Sequence, residues 1–187
     1  MLKTSMLGWI TRFARDGRGM SAVEFAFVAP VMVGLYLGCA EISDGVAVDR
    51  KVSLTAGALS NLTSQVTTIS SGDMTNILDA SSAIVAPYGA SKLTLTVSCL
   101  KIDGNGVAKV SWSAARNTTA RTTGSVYSFS TSNAALDVKN SWLILGEVTY
   151  AYKPTVGYTI TGTLTLSEKM FMAPRISAPT YNGVTCT

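Results

Sequence analysis

The sequence predicts an α+β fold in which one long N-terminal helix packs against an antiparallel β-sheet head. Residues 20–40 form an apolar run in which Glu24 is the only charged residue. The next segment repeats apolar side chains every three or four positions, as an amphipathic helix does, and alternation typical of strands begins after residue 90. We therefore divide the chain into a basic leader, a membrane-spanning helix, an amphipathic continuation of that helix and a β-rich extracytoplasmic head, at residues 1–19, 20–40, 41–69 and 70–187.

The apolar run has the length of a membrane span. At about 1.5 Å per residue, a helix of residues 20–40 covers about 30 Å, the thickness of a bilayer's hydrocarbon core. The chain carries a net charge of +4, and the leader supplies +3 of it from four basic residues against Asp16. The four are Lys3, Arg12, Arg15 and Arg18. Positive charge beside a first apolar segment keeps that side in the cytoplasm, and the nearly neutral remainder predicts no nucleic-acid partner.

Glu24 is the most informative residue of the span. A carboxylate inside a membrane segment costs about 2.5–3.5 kcal/mol on insertion scales, so it needs a partner or access to the headgroups one turn away. Counting Met20 as the first residue of a processed product makes Glu24 the fifth and Phe25 the sixth. The string Gly19-Met-Ser-Ala-Val-Glu-Phe-Ala-Phe-Val-Ala-Pro30 resembles prepilins of the type IV family. More narrowly, it is similar to the TadE/TadG-like minor pseudopilins of tight-adherence (Flp-type) pili.

The resemblance implies a pilin-like fold and a processing step. A prepilin peptidase would cut between Gly19 and Met20, and Glu24 would pair with the freed α-amine of Met20 in a neighbouring subunit, beside Phe25. The implied partners are that peptidase, other pilin and pseudopilin subunits, the inner-membrane pilus assembly platform and inner-membrane lipid. The implied location is the inner membrane, single-pass, with the N-terminus cytoplasmic and the head periplasmic, before incorporation into an extracellular pilus.

Three residues of the span favour lateral helix packing. Pro30 removes one backbone donor and is expected to kink or loosen the helix. Gly34 and Gly38 leave two side chains absent from one face, which lets another helix approach closely.

An alternative interpretation of the apolar run is a secretory signal cleaved before Glu41, after the small residues Gly38-Cys39-Ala40. Such a cleavage would release a soluble protein.

The amphipathic segment predicts one helix that continues out of the membrane. Its apolar stripe is expected to be the surface against which the head folds, and a break at Gly45 or Gly57 remains open because each glycine costs about 1 kcal/mol relative to alanine. The stripe consists of Ile42, Val46, Val52, Ala56, Leu59, Leu62, Val66 and Ile69. A second, short helix is expected after an Asp73 cap, closed by Pro87 and Gly89.

The head is expected to contain about four antiparallel strands. A hairpin is predicted from residues 93–102 and 107–112 around the turn Asp103-Gly104-Asn105-Gly106, which we interpret as a turn rather than a calcium loop. Two further strands are expected at residues 142–152 and 158–172. Between the two pairs, residues 114–141 read as a long loop with a helical turn at 134–139, and such a loop is where a binding surface would lie.

Chemical groups for catalysis are scarce. The sequence contains no histidine, and its few carboxylates beyond Glu41 are not grouped. We therefore expect that the chain has no enzymatic activity and binds neither a metal ion nor a cofactor. Cys99 and Cys186 would both lie outside the cytoplasm, where a disulfide between them can persist. The sequence thus favours a pseudopilin processed after Gly19, with an uncleaved single-pass scaffold, a surface adhesin or a secreted protein as alternatives.

Overall fold

The first helix, α1, extends without a break from Met20 to Ser64. The computed structural model describes residues 19–154, 157 and 162–186, so the leader up to residue 18 lies outside the described residues. With 45 residues, α1 is about 68 Å long at 1.5 Å per residue. Pro30 lies inside the helix, and the helix also continues through Gly45 and Gly57, so the break that these two glycines left open does not occur.

The two halves of α1 differ sharply in their surroundings. No residue from Met20 to Ala40 is buried, whereas Glu41 begins a face that is buried at every third or fourth position. That face consists of Glu41, Gly45, Val48, Val52, Thr55, Ala56, Leu59, Ser60, Thr63 and Ser64. The prediction was therefore right for Val52, Ala56 and Leu59. It was wrong for Ile42 and Val46, which are 51% and 47% exposed, because the head lies over the neighbouring side of the helix. It was also wrong for Val66, which is 37% exposed and lies beyond the end of the helix.

The end of α1 also differs from the prediction. The helix stops at Ser64, five positions before Ile69, and Thr68–Ile69 forms a short strand, β1, that pairs with the C-terminal tail. Ile69 is buried, as the apolar pattern predicts, but it lies in a strand and not in the helix. A two-residue strand has no periodicity of its own that would distinguish it from the end of a helix.

The second helix, α2, spans Ser71–Ala83 and packs beside α1. Its N-cap is Ser70 rather than the predicted Asp73. The Ser70 hydroxyl accepts a hydrogen bond from the Asp73 backbone N–H, and the Asp73 carboxylate accepts one from the Ser70 N–H, which makes a capping box. At the other end, Lys51 of α1 donates to the carbonyl oxygens of Ile84 and Ala86, so its charge lies beside the C-terminus of α2.

The head is built on a five-stranded antiparallel sheet with the strand order β4-β3-β2-β5-β6. The strands are β2 (Leu93–Ile102), β3 (Ala108–Arg116), β4 (Val126–Tyr127), β5 (Trp142–Tyr152) and β6 (Leu164–Met172). The first predicted hairpin is present as β2 and β3. The predicted start of the last strand falls partly on residues 158–161, which lie outside the described residues. The predicted α+β fold, a long helix on an antiparallel sheet, is confirmed.

One face of the sheet packs on α1 and α2 and forms the main core. Along β2, the residues on this face are Leu93, Leu95, Val97 and Cys99, and all four are buried. Gly146 of β5 lies against α1 without a side chain between them: a Cβ added there would be 2.3 Å from the Ser60 Oγ and 3.1 Å from the Ala56 carbonyl oxygen. Ser60 in turn donates to the Met170 carbonyl oxygen of β6 at 3.0 Å, which joins α1 to the edge of the sheet.

The opposite face carries a smaller core under residues 117–141, which we call the strap. Its buried members are Leu100, Ile102, Ala108, Val110, Leu143 and Leu145, with Tyr127, Phe129, Leu136 and Phe171 packed against them. The strap begins later than predicted because β3 continues to Arg116, and it contains β4 and a 3₁₀ turn at Thr131–Leu136 instead of a helical turn at 134–139. Much of the expected loop is thus held against the sheet.

The C-terminal tail returns to the end of α1. Strand β7 (Thr180–Tyr181) pairs parallel to β1 and antiparallel to β8 (Val184–Thr185). The indole N–H of Trp112 donates to the Pro179 carbonyl oxygen at 3.0 Å. Cys99 and Cys186 form the disulfide that the sequence predicted, with their Cα atoms 5.9 Å apart. The tail is therefore joined both to β2 and to the segment that follows α1.

Candidate functional site

The apolar half of α1 is the candidate functional site, and it begins at Gly19. Gly19 is the N-cap of the helix and makes no side-chain cap, and a Cβ added there would meet nothing within 4 Å. Met20 is the first helical residue and is exposed. The peptide bond at which processing was predicted therefore lies at the junction between the helix and the leader, and the first backbone N–H groups of α1 give this end a partial positive charge.

Glu24 lies one turn into the helix. Its side chain is exposed, and within the part of the chain that the structure describes it makes no hydrogen bond or ion pair. Met20 and Glu24 are four residues apart and hence lie on the same side of α1. Phe25 is 71% exposed and points to the adjoining side. The structure thus places Met20 and Glu24 on one side of the first two turns of α1, with Phe25 on the adjoining side.

Pro30, Gly34 and Gly38 line one groove on the helix surface. The groove is completed by Val31, Leu35, Cys39 and Ile42. Gly34 and Gly38 continue, at steps of three and four, into Glu41 and Gly45, the first residues of the buried face. The head therefore lies directly above the glycine side of the span, a relation that the sequence alone did not indicate. A helix that enters the groove meets the lower edge of the head at the level of Gly45.

The side of α1 away from the head carries a second stripe of exposed apolar residues. In the span it presents Phe25, Met32 and Tyr36, and above the span Val46 and Leu54 lie on either side of the exposed Arg50. Leu54 is 63% exposed although it lies beside the fully buried Thr55 and close to Val52. The sequence pattern was assigned to a single apolar face of the helix, so these exposed residues on the other side were not predicted. The stripe extends the candidate packing surface beyond the membrane segment.

The head has one concentrated charge cluster, located where the strap meets the sheet. Arg121 donates from Nε and from an Nη atom to the two carboxylate oxygens of Glu147, at 2.7 and 2.8 Å, and Lys169 Nζ lies 3.1 Å from Glu147. Both cations lie over the ring of Tyr127. Burial by itself would raise the pKa of Glu147, but hydrogen bonds from Arg121 and Lys169 and their charges outweigh it and hold that pKa below its ordinary value.

This cluster is best explained as a structural contact. Every charge in it is paired, and the network ties the strap to β5 and β6.

Among the residues that the structure describes, no group of three or more His, Cys, Asp or Glu side chains is placed to bind a metal ion. The turn at Asp103 uses its carboxylate to accept the backbone N–H groups of Asn105 and Val107, which is the turn geometry predicted from the sequence.

Comparison of the chain with models of protein families, with curated proteins and with solved structures finds no match. Among the residues that the structure describes, one helix, Met20–Ser64, is long and apolar enough to cross a membrane. Its apolar half is almost wholly exposed, unlike the core helix of a folded domain. The candidate site is thus an exposed apolar helix with one carboxylate near its start and a folded head at its far end.

Proposed function

We propose that this chain is a minor pseudopilin, or pilus-assembly subunit, of a tight-adherence pilus. One observation carries the proposal: a single unbroken helix is exposed and apolar over its first half, with one carboxylate at the fifth position, and supports the head over its second half. Such a helix can anchor the subunit in the membrane and later pack laterally in a bundle. The resemblance of residues 19–30 to the TadE/TadG-like family supports the same assignment.

The same helix supports a location in the membrane. We place the chain in the inner membrane as a single-pass protein, with residues 1–19 in the cytoplasm and the head in the periplasm, from which it is transferred to an extracellular pilus. The charge of the leader supports this orientation. The disulfide between Cys99 and Cys186 also supports it, since disulfides persist in the periplasm and are rare in the cytoplasm.

Processing after Gly19 would create the pairing partner that Glu24 lacks. A prepilin peptidase would free the α-amine of Met20, whose protonated form can pair with a carboxylate. Glu24 of a neighbouring subunit would then neutralise this amine inside the membrane. The pair offsets the cost of about 2.5–3.5 kcal/mol for an unpaired carboxylate in the span, and it sets the register between adjacent helices.

The two exposed sides of α1 would have different partners. The side away from the head, from Phe25 to Leu54, is open along the helix and suits pilin or pseudopilin subunits whose helices also continue beyond the membrane. The groove of Pro30, Gly34 and Gly38 lies beneath the head, so it suits a helix that ends at the membrane surface, such as one from the assembly platform. In this role the chain acts as a substrate of the peptidase and a structural subunit, and not as an enzyme.

The decisive experiment is to determine the N-terminal residue of the protein recovered from its native membrane, by intact mass and peptide mapping. We expect Met20. A start at Met1 would contradict processing and favour an uncleaved single-pass scaffold, and a start at Glu41 would make the chain a secreted protein.

A Glu24→Ala variant tests the pairing step separately. It should be cleaved normally but fail to enter pili. The control is Asp49→Ala, at an exposed position in the second half of α1, and this variant should be both cleaved and assembled. Normal assembly of the Glu24→Ala variant would contradict the pairing mechanism. Retention of the purified head on cell surfaces or solid supports would instead support the adhesin alternative.

A further inference from the structure

The lower edge of the head lies at a defined height along α1. Gly146 of β5 lies against Ala56 and Ser60, and Tyr152 of the same strand lies 3.7 Å from a Cβ built on Gly45. Six residues of strand cover about 20 Å, and so do the roughly 13 residues of helix between these contacts. Strand β5 therefore runs alongside α1 and nearly antiparallel to it, with its end at the level of Gly45.

The same height is reached by the neighbouring strands. Leu164, the first residue of β6, pairs with Tyr152, and Leu93, the first residue of β2, pairs with Tyr150. The lower edge of the head is thus formed by the end of β5 and the beginnings of β2 and β6. Gly45 is five residues above Ala40, which is about 7 Å along the helix axis.

No linker separates the span from the head. No described residue up to Ala40 is in the buried class, and Glu41, only 4% exposed, already belongs to the buried face. A bilayer is about 40–45 Å thick in total, and its hydrocarbon core is about 30 Å thick. The headgroup layer on each side is therefore about 5–8 Å thick. If the hydrocarbon core ends near Ala40, the lower edge of the head falls within or directly on that layer.

The residues at this edge have the chemistry of a membrane interface. Lys92 and Lys153 are exposed, and Leu164 is exposed at the start of β6. The exposed carboxylate of Asp44 on α1 lies at the same height, so the edge carries two positive charges against one exposed negative charge. Tyr88 precedes Lys92 by four residues and is half-buried against the main core. We call Tyr88, Lys92, Lys153 and Leu164 the rim. Tyrosine is enriched at membrane interfaces, and lysines near the surface are attracted to anionic lipids by about 1 kcal/mol each.

We propose that the head rests directly on the periplasmic surface of the bilayer, with the rim in contact with phospholipid headgroups and a preference for anionic ones. The proposal depends on the membrane insertion that forms part of the proposed function, and adds a second lipid contact to it. The continuous helix fixes the tilt of the head relative to the span, so the rim stays at the surface. Removal of the subunit from the membrane must then break the rim contact as well as extract the span.

Spin-label depth measurements on the full chain in nanodiscs test this proposal. A Cys39→Ser background removes the free thiol while the disulfide stays intact. Single labels are placed at Val31→Cys in the span, at Leu164→Cys in the rim and at Val126→Cys in the strap, all at exposed positions. Collisions with oxygen and with a water-soluble nickel chelate report the depth of each label in bilayers of phosphatidylcholine with phosphatidylglycerol.

We expect the label at position 31 to lie in the hydrocarbon core, the label at 164 at headgroup depth and the label at 126 in water. A buried label at 31 with equal, aqueous signals at 164 and 126 would overturn the rim contact and leave the membrane anchor intact. An aqueous signal at 31 would contradict membrane insertion, and with it the proposed function.

The lysines of the rim provide a second test in the same bilayers. Replacing Lys92 and Lys153 together by glutamine should move the label at 164 toward water when phosphatidylglycerol is present. The matched control replaces Lys101 and Lys109, which lie on the far part of the β2–β3 hairpin, and should leave the label unchanged. An equal response to both double variants, or no response to either, would overturn the preference for anionic headgroups.

Discussion

Gly146 shows how a single residue sets the distance between α1 and the sheet. A side chain at this position would overlap the Ser60 Oγ and press on the Ala56 carbonyl oxygen. The sequence does not reveal this role, because an isolated glycine in a strand also marks bulges and bends. Only the position of Ser60 across the interface distinguishes a close approach from those alternatives.

Gly146→Ala is expected to destabilise the head by about 1–3 kcal/mol, the usual cost of overpacking. Gly57→Ala is a matched control of opposite sign: its added methyl meets nothing within 4 Å, and alanine favours helix by about 1 kcal/mol over glycine. Denaturant unfolding of the full chain in detergent, followed by Trp fluorescence, measures both. Ser60→Ala also removes the hydrogen bond to Met170, so Gly146→Ala is measured in the Ser60→Ala background as well. Its cost should be smaller there than in the wild type, and an equal cost in both backgrounds would show that the clash with Ser60 is not the cause.

Glu147 makes the attachment of the strap dependent on pH. Because its pKa is lowered in the folded protein, ionised Glu147 contributes stability above its ordinary value of 4.5, and that stability is lost as the pH falls through the lower folded value. Glu147→Gln should cost about 1–2 kcal/mol at neutral pH, a figure reduced for the partial exposure of Arg121 and Lys169.

Unfolding measured as a function of pH checks this prediction. The difference between the wild type and the Glu147→Gln variant should shrink as the pH falls below 4.5. The control is Asp79→Asn, which breaks an ion pair with Arg116 between two exposed side chains and should cost less than about 1 kcal/mol at any pH. A constant difference for Glu147→Gln would mean that the carboxylate is not what holds the strap.

At the scale of elements, the predictable parts are those with long periodic patterns. The continuous helix, the β2–β3 hairpin and strand β5 each repeat their apolar residues over nine or more positions, and all were located from the sequence. Strands β1, β7 and β8 have two residues each and depend on pairing between distant segments, which no local pattern records. In the candidate site, the order of residues in α1 was readable, but the position of the head above Gly34 and Gly38 was not.

The tail depends on its disulfide more than on its short strands. Cys186→Ala should destabilise the head by about 2–5 kcal/mol, since the bond closes a long loop with a sequence separation of 87 residues. It should also expose Trp112, which is now 2% exposed and donates to Pro179. A red shift in Trp fluorescence and a lower denaturant midpoint are the expected signals.

Cys39→Ser serves as the control for that substitution. Cys39 is exposed and unpaired in the described chain, so its replacement should leave both signals unchanged. An unaltered denaturant midpoint for Cys186→Ala would show that the β1–β7 pairing and the contacts of Arg175 with α1 suffice to hold the tail.

For the whole molecule, burial divides the chain at Glu41. All buried residues that the structure describes lie at or beyond this position, so a fragment of residues 41–187 is expected to fold alone and unfold in one cooperative transition. A fragment of residues 53–187 lacks Val48 and Val52, whose burial contributes about 1.5–3 kcal/mol each, and should be clearly less stable. Thermal melting followed by circular dichroism compares them; equal melting temperatures would contradict the role of this part of α1.

The near-antiparallel alignment of β5 with α1 also determines how the molecule carries mechanical load. A force applied to the span along the helix axis acts parallel to the interface between α1 and the sheet, so the contacts from Gly45 to Ser60 are loaded together in shear rather than peeled apart one by one. The Ser60 hydroxyl beside Gly146 resists sliding along this direction. The disulfide closes the far end of the head, which limits how far the chain can extend once the interface yields. A chain built in this way would transmit tension along α1 to the whole interface between the helix and the sheet.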